Sequence, residues 1–352
     1  LGGPSGIRSV LWTYTVMKGQ LLQDPERGIQ LHKKLTWLFV ALFLVVVVMP
    51  AILVKGLNLF RPGAGVEETK TTVRVKVVST NTIKTFDLEQ YIVGVVAGEM
   101  PARFQMEALK SQAVAARTYT MKRMQEAARG RSDHSGADLC TDPTHCQAWL
   151  SDSDMRQRWG VVNYYKYKRR IVRAVKETRG MVLTYKGKLI DPVYHSTCGG
   201  WTENPQEVWK FTAPYLRSVN CPYDRHSPQL HKRVKFSWAE LDGRLGTNLA
   251  AAPGSAVSKV KIRALTSTGR VKTVAVGKRL FPGTEFRARL GLNSTRFTYK
   301  GDSRGITIDT IGYGHGVGLC QYGTDGYANH GKDFRFILQH YYQGSKITQL
   351  KY

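Results

Sequence analysis

Acidic side chains are scarce in this sequence: 26 Asp and Glu stand against 52 Lys and Arg over 352 residues, a formal net charge of +26. That shortage excludes a surface made for cationic partners. It points instead to polyanions, whether nucleic acid, acidic lipid headgroups or anionic wall polymer. Cysteine is scarce as well. Five residues are too few for a disulfide-built miniprotein, and the odd number leaves at least one unpaired within the chain. Internal repeats are absent. What remains is ample for a buried core: 42% of residues are hydrophobic and 10% aromatic, which rules out wholesale disorder.

Long apolar runs are also few, and one stands out. Leu35 to Val54 is twenty residues without a charge, which as a helix would reach about 30 Å, the thickness of a bilayer core. Arg27, Lys33 and Lys34 precede it, and only Lys55 and Arg61 follow closely. The expectation is a transmembrane helix over 35–54, a cytoplasmic tail over 1–34 and an exported body; a cleaved signal peptide is the alternative. Met17-Lys18 resembles a second start, so residues 1–16 are given no structural role. Residues 1–55 hold six Lys/Arg and two Asp/Glu, so the basic surface faces outward. A wall glycan or an anionic membrane surface then fits better than nucleic acid.

A Pro/Gly-containing linker over 55–72 leads into the exported part, 73–352. Val73, Val75 and Val77 alternate with Arg74 and Lys76 as in a half-buried strand. Asp87 can cap a helix whose Leu88, Tyr91, Ile92, Val95 and Val96 share one face, ending at Gly98 and Pro101. A second helix over 105–128 has a stripe of small residues at Leu109, Ala113, Ala116 and Thr120. Residues 129–160 read as a loop-like insert rich in Asp, His and Cys, followed by a helix from about Asn163 to Glu177. A hairpin turning at Lys186-Gly187, further strands and a helix near Asp333–Tyr342 complete the pattern. Strands and helices come in clusters, which predicts an α+β fold.

Glu99 is the first chemical candidate. It lies at a helix end between Gly98 and Met100-Pro101, with Phe104 nearby. Apolar neighbours desolvate a carboxyl and raise its pKa, as a general acid requires; the bland alternative is a solvated helix-terminal glutamate. On the next helix, Lys110 and Arg117 share one face and read either as a wall of a sugar-binding groove or as ordinary solvated cations. The second candidate is His134, Cys140, His145 and Cys146, four donors suited to a structural zinc ion. A Cys140–Cys146 disulfide competes with it. The third is a pair of glycine-bearing polar loops. His195, Ser196, Thr197, Gly199 and Gly200 lie in one, and His315 and Gln321 in the other. Their side chains suit sugar hydroxyls, and a Cys/His nucleophile pair drawn from Cys198 or Cys320 remains open there.

Four segments together resemble the stage II sporulation protein D family: FDLEQYIVGVVAGEMP from Phe86, EALKSQAVAARTY from Glu107, HSTCGGWTEN from His195 and GYGHGVGLCQYG from Gly312. The resemblance spans about Val73 to Gln343. It implies a membrane-anchored peptidoglycan lytic transglycosylase of the mother cell, facing the septal and forespore wall. Such an enzyme cleaves the bond between N-acetylmuramic acid and N-acetylglucosamine in glycan strands stripped of stem peptides, leaving 1,6-anhydro ends. Its partners would be stage II sporulation proteins P and M, and its catalytic acid maps onto Glu99. Lys110 and Arg117 would lie in the neighbouring functional helix, with His195, Ser196, Thr197, Gly199, Gly200, His315 and Gln321 along the groove. No cofactor is implied for catalysis, and the Cys/His insert carries no role over from the family. Relatives known as amidase enhancers imply an alternative: a non-catalytic glycan-binding scaffold or amidase activator.

Overall fold

The computed structural model describes residues 25–49, 71–209, 211–249 and 259–352. Two compact units separate, residues 1–68 and 69–352.

In the first unit the expectation of a membrane span is overturned. The helix runs Pro25–Phe43 and continues as a five-residue π-helix, Leu44–Val48. Its first half therefore carries Glu26, Arg27, Lys33 and Lys34, and the apolar run begins only at Leu35. Among the described residues no helix is long and apolar enough to cross a membrane. Residues 50–54 of the expected span, the stretch 1–24 and most of the linker lie outside the described residues.

The second unit has the mixed helix and strand content that the patterning predicted. The antiparallel strands Thr72–Val77 and Thr82–Asp87 lead into the helix Leu88–Glu99. Val73, Val75 and Val77 face the core, as their alternation requires. Asp87 caps that helix through the Gln90 N–H at 3.0 Å. The helix Met106–Ala128 packs its small stripe inward, with Leu109, Ala113, Ala116 and Thr120 all buried. Together with the helix Asp152–Glu177 and the tail helices Gln321–Asn329 and Phe334–Tyr341, these elements surround one hydrophobic core. A second core, built on Phe236, Leu241, Val274, Phe281 and Ile308 among others, fills a strand-rich lobe. Two three-stranded antiparallel sheets cover it, one from 231–237, 297–301 and 305–311, the other from 260–265, 271–276 and 279–282.

The insert is less loop-like than its composition suggested. Helix begins at Asp152, with a complete capping box between Ser151 and Asp154, and passes through a break at Gly160 (φ 70°) before continuing to Glu177. Gly160 interrupts the amphipathic pattern, which is why the sequence registered only the later segment. The hairpin turn falls as expected: Lys186 and Gly187 both adopt positive φ, at 50° and 75°. Functionally the most consequential pairing is the shortest. The parallel strands Tyr194–His195 and Leu319–Cys320 join side by side and bring the two glycine-bearing loops together from more than a hundred residues apart.

Candidate active-site cleft

Glu99 is the last residue of its helix. Met100 precedes Pro101 and is extended (φ −118°, ψ 145°), so the helix stops there. A carboxylate at a helix C-terminus faces the negative end of the backbone dipoles, which disfavours its charge. Burial works in the same direction, and desolvation is the dominant cause of a pKa raised above the ordinary glutamate value. Opposing it, the Ala148 N–H donates to Glu99 Oε1 at 2.7 Å and Gln321 Nε2 donates to Oε2 at 3.2 Å. The Tyr194 hydroxyl also favours the charged form. Desolvation prevails over the three.

The supports of Glu99 are themselves held. The Tyr194 hydroxyl donates to Gln147 Oε1 at 2.9 Å, and Gln147 Nε2 donates to Thr120 Oγ1 at 3.1 Å. Thr120 belongs to the small stripe, so the stripe's close packing reaches the acid through two side chains. On the other side Glu99 opens into a cleft of about 410 Å³ lined by Arg103, Arg158, Trp159, Tyr167, Ser196, Gln229, Tyr313, Gln321 and Tyr322 as well as residues 97–102. Glu99 is the one acidic side chain among these lining residues. The Trp159 and Tyr167 rings meet edge to face, 5.7 Å apart, and offer apolar faces of the kind sugar rings stack upon.

A family model described as Stage II sporulation protein matches residues 77–185, the stretch that holds Glu99, Ala148 and Trp159. The stage II sporulation protein D of Bacillus amyloliquefaciens is 37% identical over 80% of this chain and 80% of its own length. That of Bacillus subtilis is 35% identical over 82% of this chain and 87% of its own. The chain belongs to the stage II sporulation protein D family. An amidase enhancer of Bacillus subtilis is a more distant relative, 29% identical over 72% of this chain and 40% of its own length.

Other residues singled out from the family resemblance divide into two groups. Ser196 and Gln321 line the cleft. Lys110 and Arg117 do not. Lys110 Nζ pairs with Glu107 at 2.8 Å and Glu177 at 2.7 Å. Arg117 is fully buried, donating from Nε and Nη2 to the two carboxylate oxygens of Glu89 at 2.8 and 2.7 Å and reaching the Val175 and Met181 carbonyls. Both cations tie helices together, and the sequence showed their shared face but not their partners. The cleft's cations are Arg103 and Arg158, both exposed. Trp159 beside the break at Gly160 was the sequence signal for that wall, and it went unread.

His195 and His315 both bond the backbone of the paired loops. His195 Nδ1 donates to the Val317 carbonyl at 3.0 Å, and His315 Nε2 donates to the Tyr194 carbonyl at 2.9 Å while Nδ1 accepts the Val317 N–H at 3.1 Å. Burial pulls both below the ordinary histidine value, His315 to about 4, so both are neutral near pH 7 and fix the paired loops in place. Thr197 bonds Ser227 through their hydroxyls at 2.6 Å, and the Gly199 N–H donates to Asp224 Oδ2 at 2.6 Å. Gly199 and Gly200 both need positive φ, 78° and 108°. Among the described residues no hydrogen bond joins Cys198 or Cys320 to an imidazole; the Cys198 thiol donates to Asp224 Oδ2 at 3.2 Å instead.

The four donors of the insert come together. His134 Nε2 and His145 Nδ1 are 3.1 Å apart, His145 Nδ1 is 3.6 Å from both Cys140 Sγ and Cys146 Sγ, and His134 Nε2 is 3.7 Å from Cys146 Sγ. Both cysteines are free thiols. Bonds of about 2.0–2.1 Å to nitrogen and about 2.3 Å to sulfur give a zinc tetrahedron edges of about 3.3 to 3.8 Å, so these donors fit such an ion. Cys146 leads directly into Gln147 and Ala148, the segment that holds Glu99.

Proposed function

We propose that this protein is a peptidoglycan lytic transglycosylase and that Glu99 is its acid and base. The supporting observation is a single carboxyl, raised in pKa by burial, at the edge of a cleft with no second acidic side chain among its lining residues. Hydrolytic glycosidases generally need two carboxylates flanking the bond. One suffices where the sugar supplies its own nucleophile. Protonated Glu99 gives its proton to the glycosidic oxygen between N-acetylmuramic acid and N-acetylglucosamine as the C1–O bond breaks. As carboxylate, steadied by Ala148 and Gln321, it then takes the proton from the muramic acid C6 hydroxyl. That oxygen bonds to C1, closing a 1,6-anhydro ring and restoring the acid.

Arg103 and Arg158 favour glycan strands already stripped of stem peptides. Removing a peptide by amide cleavage leaves a lactyl carboxylate on each muramic acid, and exposed guanidiniums at the cleft suit that anion. In this reading the enzyme acts beside stage II sporulation proteins P and M during engulfment. His134, Cys140, His145 and Cys146 hold a structural zinc ion, whose work is to fix the backbone leading to Ala148.

Stripped strands incubated with the protein should yield anhydro ends detectable by mass spectrometry, and Glu99→Gln should yield none. Equal product from both proteins overturns the proposal. The amidase-enhancer relative motivates the second reading, in which the cleft binds glycan without cutting it. Under that reading Glu99→Gln would leave amidase stimulation intact and the wild-type protein alone would release no fragments.

A further inference from the structure

Behind the paired loops, three cysteines and an aspartate converge from separate parts of the chain. Cys198 follows the strand Tyr194–His195, Cys221 ends the strand Asn220–Cys221, Asp224 lies three residues on, and Cys320 ends the strand Leu319–Cys320. All four are buried, with at most 1% of any of them exposed. The three sulfurs and a carboxylate oxygen lie within 4.8 Å of one another, and none of the thiols is in a disulfide. Asp224 Oδ2 is 3.2 Å from Cys198 Sγ and 3.8 Å from Cys320 Sγ. Those spacings bracket the sulfur–oxygen edge of about 3.5 Å that a zinc tetrahedron requires.

Three further observations point to a cation among them. First, buried Asp224 accepts the Gly199 N–H and the Cys198 thiol, but among the described residues no ion pair joins it to a Lys, Arg or His; a buried carboxylate held only by neutral donors is costly. Second, donors aim at the sulfurs as they do around metal-bound thiolates. Cys320 Sγ accepts the N–H groups of Cys198 and Gly323, both at 3.3 Å, the latter as the cap of the helix Gln321–Asn329. The Tyr341 hydroxyl is 3.0 Å from Cys221 Sγ. Third, the guanidinium of buried Arg270, shared with the buried Glu203 carboxylate at 3.8 Å, donates to the Cys198 carbonyl at 2.8 Å, so part of its positive charge falls where three thiolates and a carboxylate around a dication would leave a negative excess.

We propose that Cys198, Cys221, Asp224 and Cys320 form a second metal site, for a zinc-class divalent cation, sharing no ligand with the His134 cluster. Loading exchanges three thiol protons for the cation and involves no oxidation or reduction. The site pins the backbone on both sides of the cleft at once. Ser196 lies two residues before one ligand, and Gln321, which donates to Glu99, directly follows another.

The test is a metal count on the full chain purified without added metal or chelator. The expected result is two ions per chain, with one remaining in the Cys140→Ser/Cys146→Ser variant and one in the Cys198→Ser/Cys320→Ser variant. Cobalt exchanged into the Cys140→Ser/Cys146→Ser variant should give intense thiolate charge-transfer absorption. A single ion per chain that disappears entirely in the Cys140→Ser/Cys146→Ser variant overturns the proposal. So does a disulfide linking any two of the three buried cysteines in the isolated protein. Should the Cys198→Ser/Cys320→Ser variant fail to fold, the wild-type count and the metal left in the other variant still decide. None of these readouts depends on glycan cleavage.

Discussion

At the scale of single residues, the raised pKa of Glu99 has consequences for both rate and stability. In the proposed reaction its carboxyl must be protonated to act first as an acid, so cleavage should decline as pH rises through the raised value. Stability follows the same titration. In the unfolded chain the glutamate ionises near its ordinary value, while the fold resists ionisation until a higher pH. Wild-type protein therefore loses stability as pH rises between the two. A glutamine keeps a polar side chain there without the charge. Glu99→Gln is expected to melt higher than wild type near pH 7, and the gap should close near pH 4, where both side chains are neutral. Calorimetry at the two pH values checks this; a variant that melts lower at pH 7 contradicts the dominance of desolvation. Glu99 itself was legible in the sequence because Gly98 and Pro101 bracket it. Its support was not: Ala148 is 49 residues away and Gln321 is 222, and no local pattern encodes such meetings.

At the scale of elements, the Glu99 helix and the part of the insert that follows Cys146 approach too closely for side chains between them. A Cβ on Gly98 would lie 2.9 Å from the Ala148 carbonyl carbon and 3.0 Å from the Trp149 nitrogen, all backbone atoms that cannot swing aside. Gly98→Ala should thus displace the strut that holds Glu99, costing about 1–3 kcal/mol of stability and lowering kcat along with it. Denaturant unfolding and steady-state rates test the pair; an active, fully stable Gly98→Ala protein removes Ala148 from the account. The neighbouring helix makes the contrasting case. Arg117→Ala leaves Glu89 and the Ala113, Val175 and Met181 carbonyls without their buried partner, and a loss of about 3–5 kcal/mol is expected. In any protein that remains folded, KM should not move, because Arg117 does not reach the cleft. Periodicity announced this helix and its small stripe. It gave the face of Lys110 and Arg117 too, but a shared face is silent about whether it meets substrate or another helix, and here Glu89, Glu107 and Glu177 decide it.

At the scale of the whole molecule, the excess of positive charge and the geometry of the cleft make one joint prediction. A net charge of +26 attracts any polyanion over distances set by salt, whereas Arg103 and Arg158 act only on what enters the cleft. Stripped muramic strands carry repeated carboxylates and should feel both; an uncharged N-acetylglucosamine polymer should feel neither. Raising ionic strength from about 0.01 M to about 1 M shortens the screening length from about 30 Å to about 3 Å. KM for stripped strands should then rise several-fold with kcat little changed, since Glu99 acts at contact distance and is shielded from solvent ions. Arg103→Ala and Arg158→Ala should each raise KM at low salt and flatten its salt dependence, while substituting exposed lysines far from the cleft should alter mainly the association rate. If KM proves indifferent to salt, or if uncharged polymer competes as well as stripped strands, recognition rests on the aromatic wall of Trp159 and Tyr167 and the basic surface serves some other contact.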